Sequence, residues 1–143
     1  VNISDTVRAE ALEEVGHPYT MGEEGKGLVV GVEQTPDKTD QDCSGHVWTV
    51  LYVAGVQWLN KMKFQRTTAH GYWKVSVPID KPSKVADVGC FHNRITGRRT
   101  HILLYIGEGE TTEARGRKWG VRRYALTDPV NGAYARGAEW RRF

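Results

Sequence analysis

Cysteine is scarce in this chain, with only Cys43 and Cys90 among 143 residues. One pair is too few for a disulfide-stapled scaffold, and a chain of this length buries a hydrophobic core without staples. Long apolar runs are missing too. No stretch approaches the roughly 20 residues that a membrane-spanning helix needs, and no secretory leader is visible at the N-terminus. The chain opens at Val1 rather than Met, as a mature form or a domain cut from a longer protein does, so the missing leader does not decide destination. Metal-ligand spacing is absent: His17, His46, His70, His92 and His101 form no ligand pair. Asp37, Asp40 and Asp42 alternate as calcium ligands do, but the Gly and terminal Glu of a calcium loop are not there. The expectation is no metal and no cofactor.

Acidic residues thin out toward the C-terminus. Residues 1–93 carry nine Lys/Arg against twelve Asp/Glu, whereas residues 94–143 carry eleven against five. A basic surface of this kind attracts nucleic acid and an anionic cell-wall polymer alike, because the attraction is not sequence-specific. Aromatics are plentiful, with five Trp, six Tyr and three Phe, and the charged fraction of 26% is that of an ordinary soluble globular chain. One domain over residues 1–143 is expected.

Helical periodicity opens the chain. Ser4 or Asp5 is placed to cap a helix whose inner face is Val7, Ala11, Leu12 and Val15, ended by Gly16. His17-Pro18-Tyr19 leaves it on an extended path, since a residue before proline avoids the helical region. Gly22 to Gln41 is loop-like, interrupted by Leu28-Val29-Val30-Gly31-Val32. A second helix runs from about Cys43 to Ala54, ended by Gly55, with Val47, Leu51 and Ala54 on one face beside Trp48 and Tyr52. Residues 56–84 read as loop and short helix. From Val85 the pattern changes to strands at Val85–Phe91, Thr100–Ile106 and Thr111–Arg115, with two more at Gly120–Leu126 and Ala138–Phe143. Asp128-Pro129-Val130-Asn131-Gly132 is a turn between the last two. Helices against an antiparallel sheet make an α+β domain.

One position stands out chemically. Gln41-Asp42-Cys43-Ser44-Gly45 puts a thiol in the first turn of the second helix, near unpaired backbone N–H groups and the positive dipole end, which favour a thiolate. Asp42 or Thr39 caps that turn. His101 heads the apolar run Ile102-Leu103-Leu104-Tyr105-Ile106 and is the best candidate base. A Cys on a helix start and a His on a distant strand is the arrangement that thiol-dependent acyl transfer requires. His46 is the rival base; it lies three residues from Cys43, but the helix projects it sideways. Cys90, in Val88-Gly89-Cys90-Phe91, reads as a small buried residue, and both cysteines are expected to be free.

Further segments fall in an order that resembles the NlpC-type cell-wall cysteine peptidases, small papain-like enzymes. An N-terminal helix leads into Gly16-His17-Pro18-Tyr19-Thr20-Met21-Gly22, and Asp42-Cys43-Ser44-Gly45 follows. Then come a strand with an acidic start, Ala86-Asp87-Val88-Gly89-Cys90-Phe91, and the hairpin from His101 through Gly107-Glu108-Gly109. The resemblance covers roughly residues 5–125. It implies a papain-like NlpC-type domain with N-terminal helices packed on a central antiparallel sheet of about five to six strands.

It also implies roles. Cys43 is the nucleophile and His101 the base. The third, imidazole-orienting group stands twelve residues after the histidine and is usually His, Asn or Gln; here it is Glu113, a departure that suits the chemistry because a carboxylate accepts an imidazole N–H. Tyr19 contributes to the oxyanion site or positions substrate, Asp42 and Ser44 hold the free amine of the stem peptide, and Trp73 or Arg66 lines the groove. Leu103 stands where relatives often have glycine, narrowing the space behind the imidazole. The implied substrate is the peptidoglycan stem peptide, cut between D-glutamate and the following diamino acid; the nearest alternative is the N-acetylmuramoyl-L-alanine amide. The implied setting is secreted or cell-wall acting, in a bacterium or as a phage lysin or tail component. The contrasting classes are a non-catalytic cell-wall binding module on the same scaffold and a nucleic-acid binder. The second is disfavoured, since the aromatics lack the repeated spacing of a single-strand platform.

Overall fold

The computed structural model describes residues 3–18, 42–55, 66–116 and 118–143. Its organising element is α2 (Cys43–Val53), a helix with almost no polar surface: every residue from Cys43 to Leu51 is buried. Asp42 is extended at φ −91° and ψ −174°, and its side chain accepts the Gly45 N–H at 2.8 Å. That cap satisfies one of the orphan donors of the first turn and contributes about 1 kcal/mol. Gly55, at φ +82°, takes the chain out of the helix.

Helix α1 (Ile3–Glu13) packs beside α2 on a face that only partly matches the expected one. Val7 and Ala11 are buried, whereas Leu12 is only half-buried and Val15 is 38% exposed. Glu10 and Glu14 take the inward positions. Spacings of three and four from Val7 reach 10, 11 and 14, so the stripe includes two acids, and Glu14 finds a partner in His46 of α2. The helix starts at Ile3, so Ser4 and Asp5 lie within its first turn rather than before it. After Gly16 the chain runs alongside the sheet edge, with Gly16 N–H donating to Val121 O and Val121 N–H to His17 O, both at 2.8 Å. Gly120 is required there, because a Cβ would lie 2.4 Å from His17 O.

The sheet is built from β1 (Val77–Pro78), β2 (Val88–His92), β3 (Arg99–Gly107), β4 (Glu110–Ala114), β5 (Val121–Ala125) and β6 (Glu139–Arg142). All neighbours are antiparallel, in the order β1-β6-β2-β3-β4-β5. Strand alternation on β3 sends Ile102, Leu104 and Ile106 into the core with Val47, Val50 and Leu51 of α2. Leu103 faces the other way, into a smaller cluster with Leu126, Ala133 and Trp140. The expected strand at Val85 begins three residues later, because Ser83 to Asp87 is a turn. The Asp87 carboxylate accepts the Ser83 and Lys84 N–H groups at 2.9 Å and holds Arg142 of β6. These bonds outweigh the cost of burial and lower its pKa.

Two elements were not expected from the sequence: the two-residue β1, and α4 (Ala133–Arg136), which closes on Gly137 at φ +76°. Helix α3 (Ala69–Val75) is the short helix anticipated in residues 56–84, capped by Thr68, whose Oγ1 accepts the Gly71 N–H at 3.0 Å. The architecture is α+β, with helices on a six-stranded antiparallel sheet.

Candidate active site

Cys43 is the first residue of α2, and its Sγ lies 3.9 Å from Thr100 O near the start of β3. The next residue, His101, interacts with the thiol electrostatically and, through Nε2, hydrogen-bonds Glu113 Oε2 at 2.5 Å. With Nε2 committed to Glu113, Nδ1 is the ring nitrogen left for the sulfur. Glu113 reaches His101 because Leu104 pairs with Thr112 across β3 and β4, which puts His101, Leu103 and Glu113 on one face of the sheet.

The electrostatics of the site are those of a charged pair with one partner buried and the other partly open to solvent. Burial opposes charge on His101, but interactions with Cys43 and Glu113 overcome it and raise the pKa to about 9. Burial also opposes charge on Glu113, and here His101 and Arg136 prevail, so its pKa is lowered. Arg136 comes from α4 and grips both carboxylate oxygens, while its Nε donates to Asn131 O at 3.1 Å. The Glu113 side chain is fully buried, whereas that of His101 retains 21% exposure. Solvent therefore reaches the imidazole and not its anchor.

His46, the rival candidate, is engaged elsewhere. Its side chain is completely buried on the other face of β4, between Thr112 Oγ1 at 2.8 Å and Glu14 Oε2 at 3.3 Å. Cys90 is free and 1% exposed, and burial pushes its thiol up to about 12, which leaves it inert.

No family model matches the sequence, and no curated protein sequence does. Solved structures match the fold. An NlpC/P60 family protein from Bacillus cereus ATCC 10987 superposes at TM-score 0.70 and 20% identity, over 98% of this chain and 40% of its own. The NlpC/p60 domain of the peptidoglycan hydrolase SagA gives 0.62 and 17%, over 99% and 97%. RipD from Mycobacterium tuberculosis, a non-catalytic NlpC/p60 domain protein adapted to peptidoglycan binding, gives 0.62 and 19%, over 99% and 98%.

The chain has the NlpC/p60 fold. It spans under half of the Bacillus cereus protein and nearly all of the other two domains. On this NlpC/p60 scaffold the expected trio of Cys43, His101 and Glu113 comes together. The remaining expected residues are disposed differently. Asp42 and Ser44 are buried and engaged with one another, Ser44 Oγ donating to Asp42 Oδ1 at 3.3 Å. Trp73, on α3, lies under the Arg99 guanidinium at 3.7 Å from its ring centre, with Arg141 at 5.0 Å. It stands beside the strand residue two positions before His101. Arg66 lies 5.2 Å over the Trp48 ring. Tyr19 falls outside the described residues.

Leu103 is accommodated rather than crowded against the histidine. It is fully buried opposite Gly89 of β2, where an added Cβ would meet its Cδ1 at 2.8 Å. The absence of a side chain on β2 makes the room that a glycine on β3 would have made.

Arg136 was missed by sequence reasoning. The signal available was Gly132-Ala133-Tyr134-Ala135-Arg136-Gly137, a basic residue closing a glycine-bounded turn, too short to show periodicity.

Proposed function

We propose that this chain is a cysteine peptidase of the bacterial cell wall that cuts peptidoglycan stem peptides between D-glutamate and the following diamino acid. The observation that carries the reading is the relay from the Cys43 thiol to the His101 imidazole to the buried Glu113 carboxylate. The fold shared with the SagA peptidoglycan hydrolase domain supports the substrate class.

The Cys43 thiolate attacks the scissile carbonyl, and the C=O pair moves onto oxygen. Backbone N–H groups of Cys43 and Ser44, which have no acceptor within the helix, stabilise that oxyanion. The C–N bond then breaks, and the His101 imidazolium gives its proton to the departing amine. Water attacks the thioester, His101 takes its proton, and the Cys43 sulfur leaves. Glu113 and Arg136 are positioning residues: one keeps the imidazole oriented and charged, the other fixes the carboxylate. Trp73 and Arg99 form a wall of the groove beside β3, and Asp42 and Ser44 act through the geometry of the helix tip. Tyr19 is assigned to substrate positioning or the oxyanion site.

Digestion of purified sacculi with the wild type and with Cys43→Ser, followed by mass spectrometry of new termini, tests the reading. A new free amine on the diamino acid, absent with the variant, is the expected result. A new amine on L-alanine instead identifies an amidase. Undiminished binding with no new termini from either protein identifies a non-catalytic module such as RipD.

A further inference from the structure

The β4–β5 hairpin carries a concentration of positive charge that the chemistry at Cys43 does not use. Residues 114–126 contain Arg115, Arg117, Lys118, Arg122 and Arg123 and no Asp or Glu. At the turn, Trp119 is 39% exposed, with Arg115 and Lys118 each 5.0 Å from its ring centre and Arg122 at 5.8 Å. On β5, Arg122 and Arg123 line an open hollow of 490 Å³ whose other walls, among the described residues, are the apolar Leu12 of α1 and Val15 just after it. Strand β5 is the sheet edge, two strands from β3.

We propose that this hairpin is a docking surface for an anionic wall polymer of phosphodiester-linked sugar or polyol units. The proposal rests on the cell-wall reading above and supplies its attachment to the wall. Guanidinium forks match phosphate oxygens in pairs, and four of the five cations are arginines. Some of this charge has internal partners. Glu110 holds Arg123 at 3.3 Å, Arg115 donates to Tyr124 and Asn131, and Arg122 Nε donates to Trp119 O. These bonds order the hairpin, while Lys118, Arg122 and Arg123 remain exposed. A single exposed ring beside repeated cations fits a polyanion with an occasional stacking unit. Single-stranded nucleic acid needs successive rings for successive bases.

The test uses the full chain carrying Cys43→Ala, so that binding is read without digestion. Co-sedimentation is measured with sacculi that retain their phosphodiester polymers, with sacculi stripped by hydrofluoric acid, and against a single-stranded DNA oligonucleotide as competitor. At about 0.15 M salt, stripping is expected to weaken binding about tenfold or more, with affinity falling steeply as salt rises. Adding Lys118→Gln, Trp119→Ala and Arg122→Gln is expected to weaken binding to intact sacculi by the same factor and to leave stripped sacculi unaffected. Equal binding to the two preparations overturns the proposal, as does an oligonucleotide that competes as tightly as intact sacculi bind. Melting curves check that the variant folds, and the stripped-against-intact comparison decides the matter without it. Because binding is measured on an inactive chain, failure of the hydrolase reading leaves this result standing or falling separately.

Discussion

Strand β4 has a histidine–glutamate pair on each side, and the two behave in opposite ways. On one face Glu113 meets His101 at 2.5 Å; on the other, beside Thr112, His46 stands 3.3 Å from Glu14. Burial is complete for both carboxylates. What separates them is the company they keep. Glu113 has the Arg136 guanidinium as well as the imidazole, so its pKa falls despite burial. Desolvation dominates at Glu14, with His46 only partly offsetting it and Glu10 adding to it, so its pKa rises. A His and a Glu at contact distance are thus a charged device on one face and a structural plug on the other. Access completes the distinction, because the His101 side chain is 21% exposed and that of His46 not at all.

The sharpest way to break this contrast is to neutralise each carboxylate in turn. Glu113→Gln is expected to lower kcat/KM about 100-fold. It removes a cause that raises the His101 pKa, so the upper limb of the pH–rate profile should move down from about 9. Glu14→Gln should shift neither kcat/KM nor either limb by a measurable amount. Equal losses in the two variants would erase the distinction.

A smaller effect is expected at Arg136. Arg136→Met should cost about tenfold in kcat and move the upper limb to higher pH, since Glu113 then directs its charge to the imidazole alone. Arg136→Lys should restore part of the rate. A purely structural arginine would lower the melting temperature and leave the limb in place.

The pH dependence of stability follows from the same site. The folded His101 pKa of about 9 lies above the ordinary value of 6.5, so its contribution is full below about 6.5 and is lost as pH rises through about 9. The melting temperature should fall across that window in the wild type, and fall less in Glu113→Gln. Smallest is the cap: Asp42→Ala should cost about 1 kcal/mol of unfolding free energy in denaturant titration.

Much of this site was legible in the sequence because its members sit on strong local signals. Asp42 and Gly55 bracket an apolar helix, which fixes where Cys43 stands; Glu113 comes from the family resemblance alone, and the register of β3 and β4 is what brings it to His101. The strands at 99–107, 110–114, 121–125 and 139–142 all lie on the expected runs. Arg136 lay beyond reach because α4 has four residues, too few for a helical period. The buried places of Glu10 and Glu14 had no signal, since amphipathic reasoning sends acids to solvent and cannot see a histidine arriving from another helix. The stretch expected to be a loop, Gly22 to Gln41, falls outside the described residues.

The central claim is that Cys43, and not Cys90, carries the chemistry. Iodoacetamide labelling followed by peptide mapping, with peptide release from sacculi measured on the same sample, tests it most directly. A single adduct on Cys43 accompanied by complete loss of release is the predicted result. Release that persists with Cys43 fully alkylated, or loss that tracks an adduct on Cys90, would contradict the account.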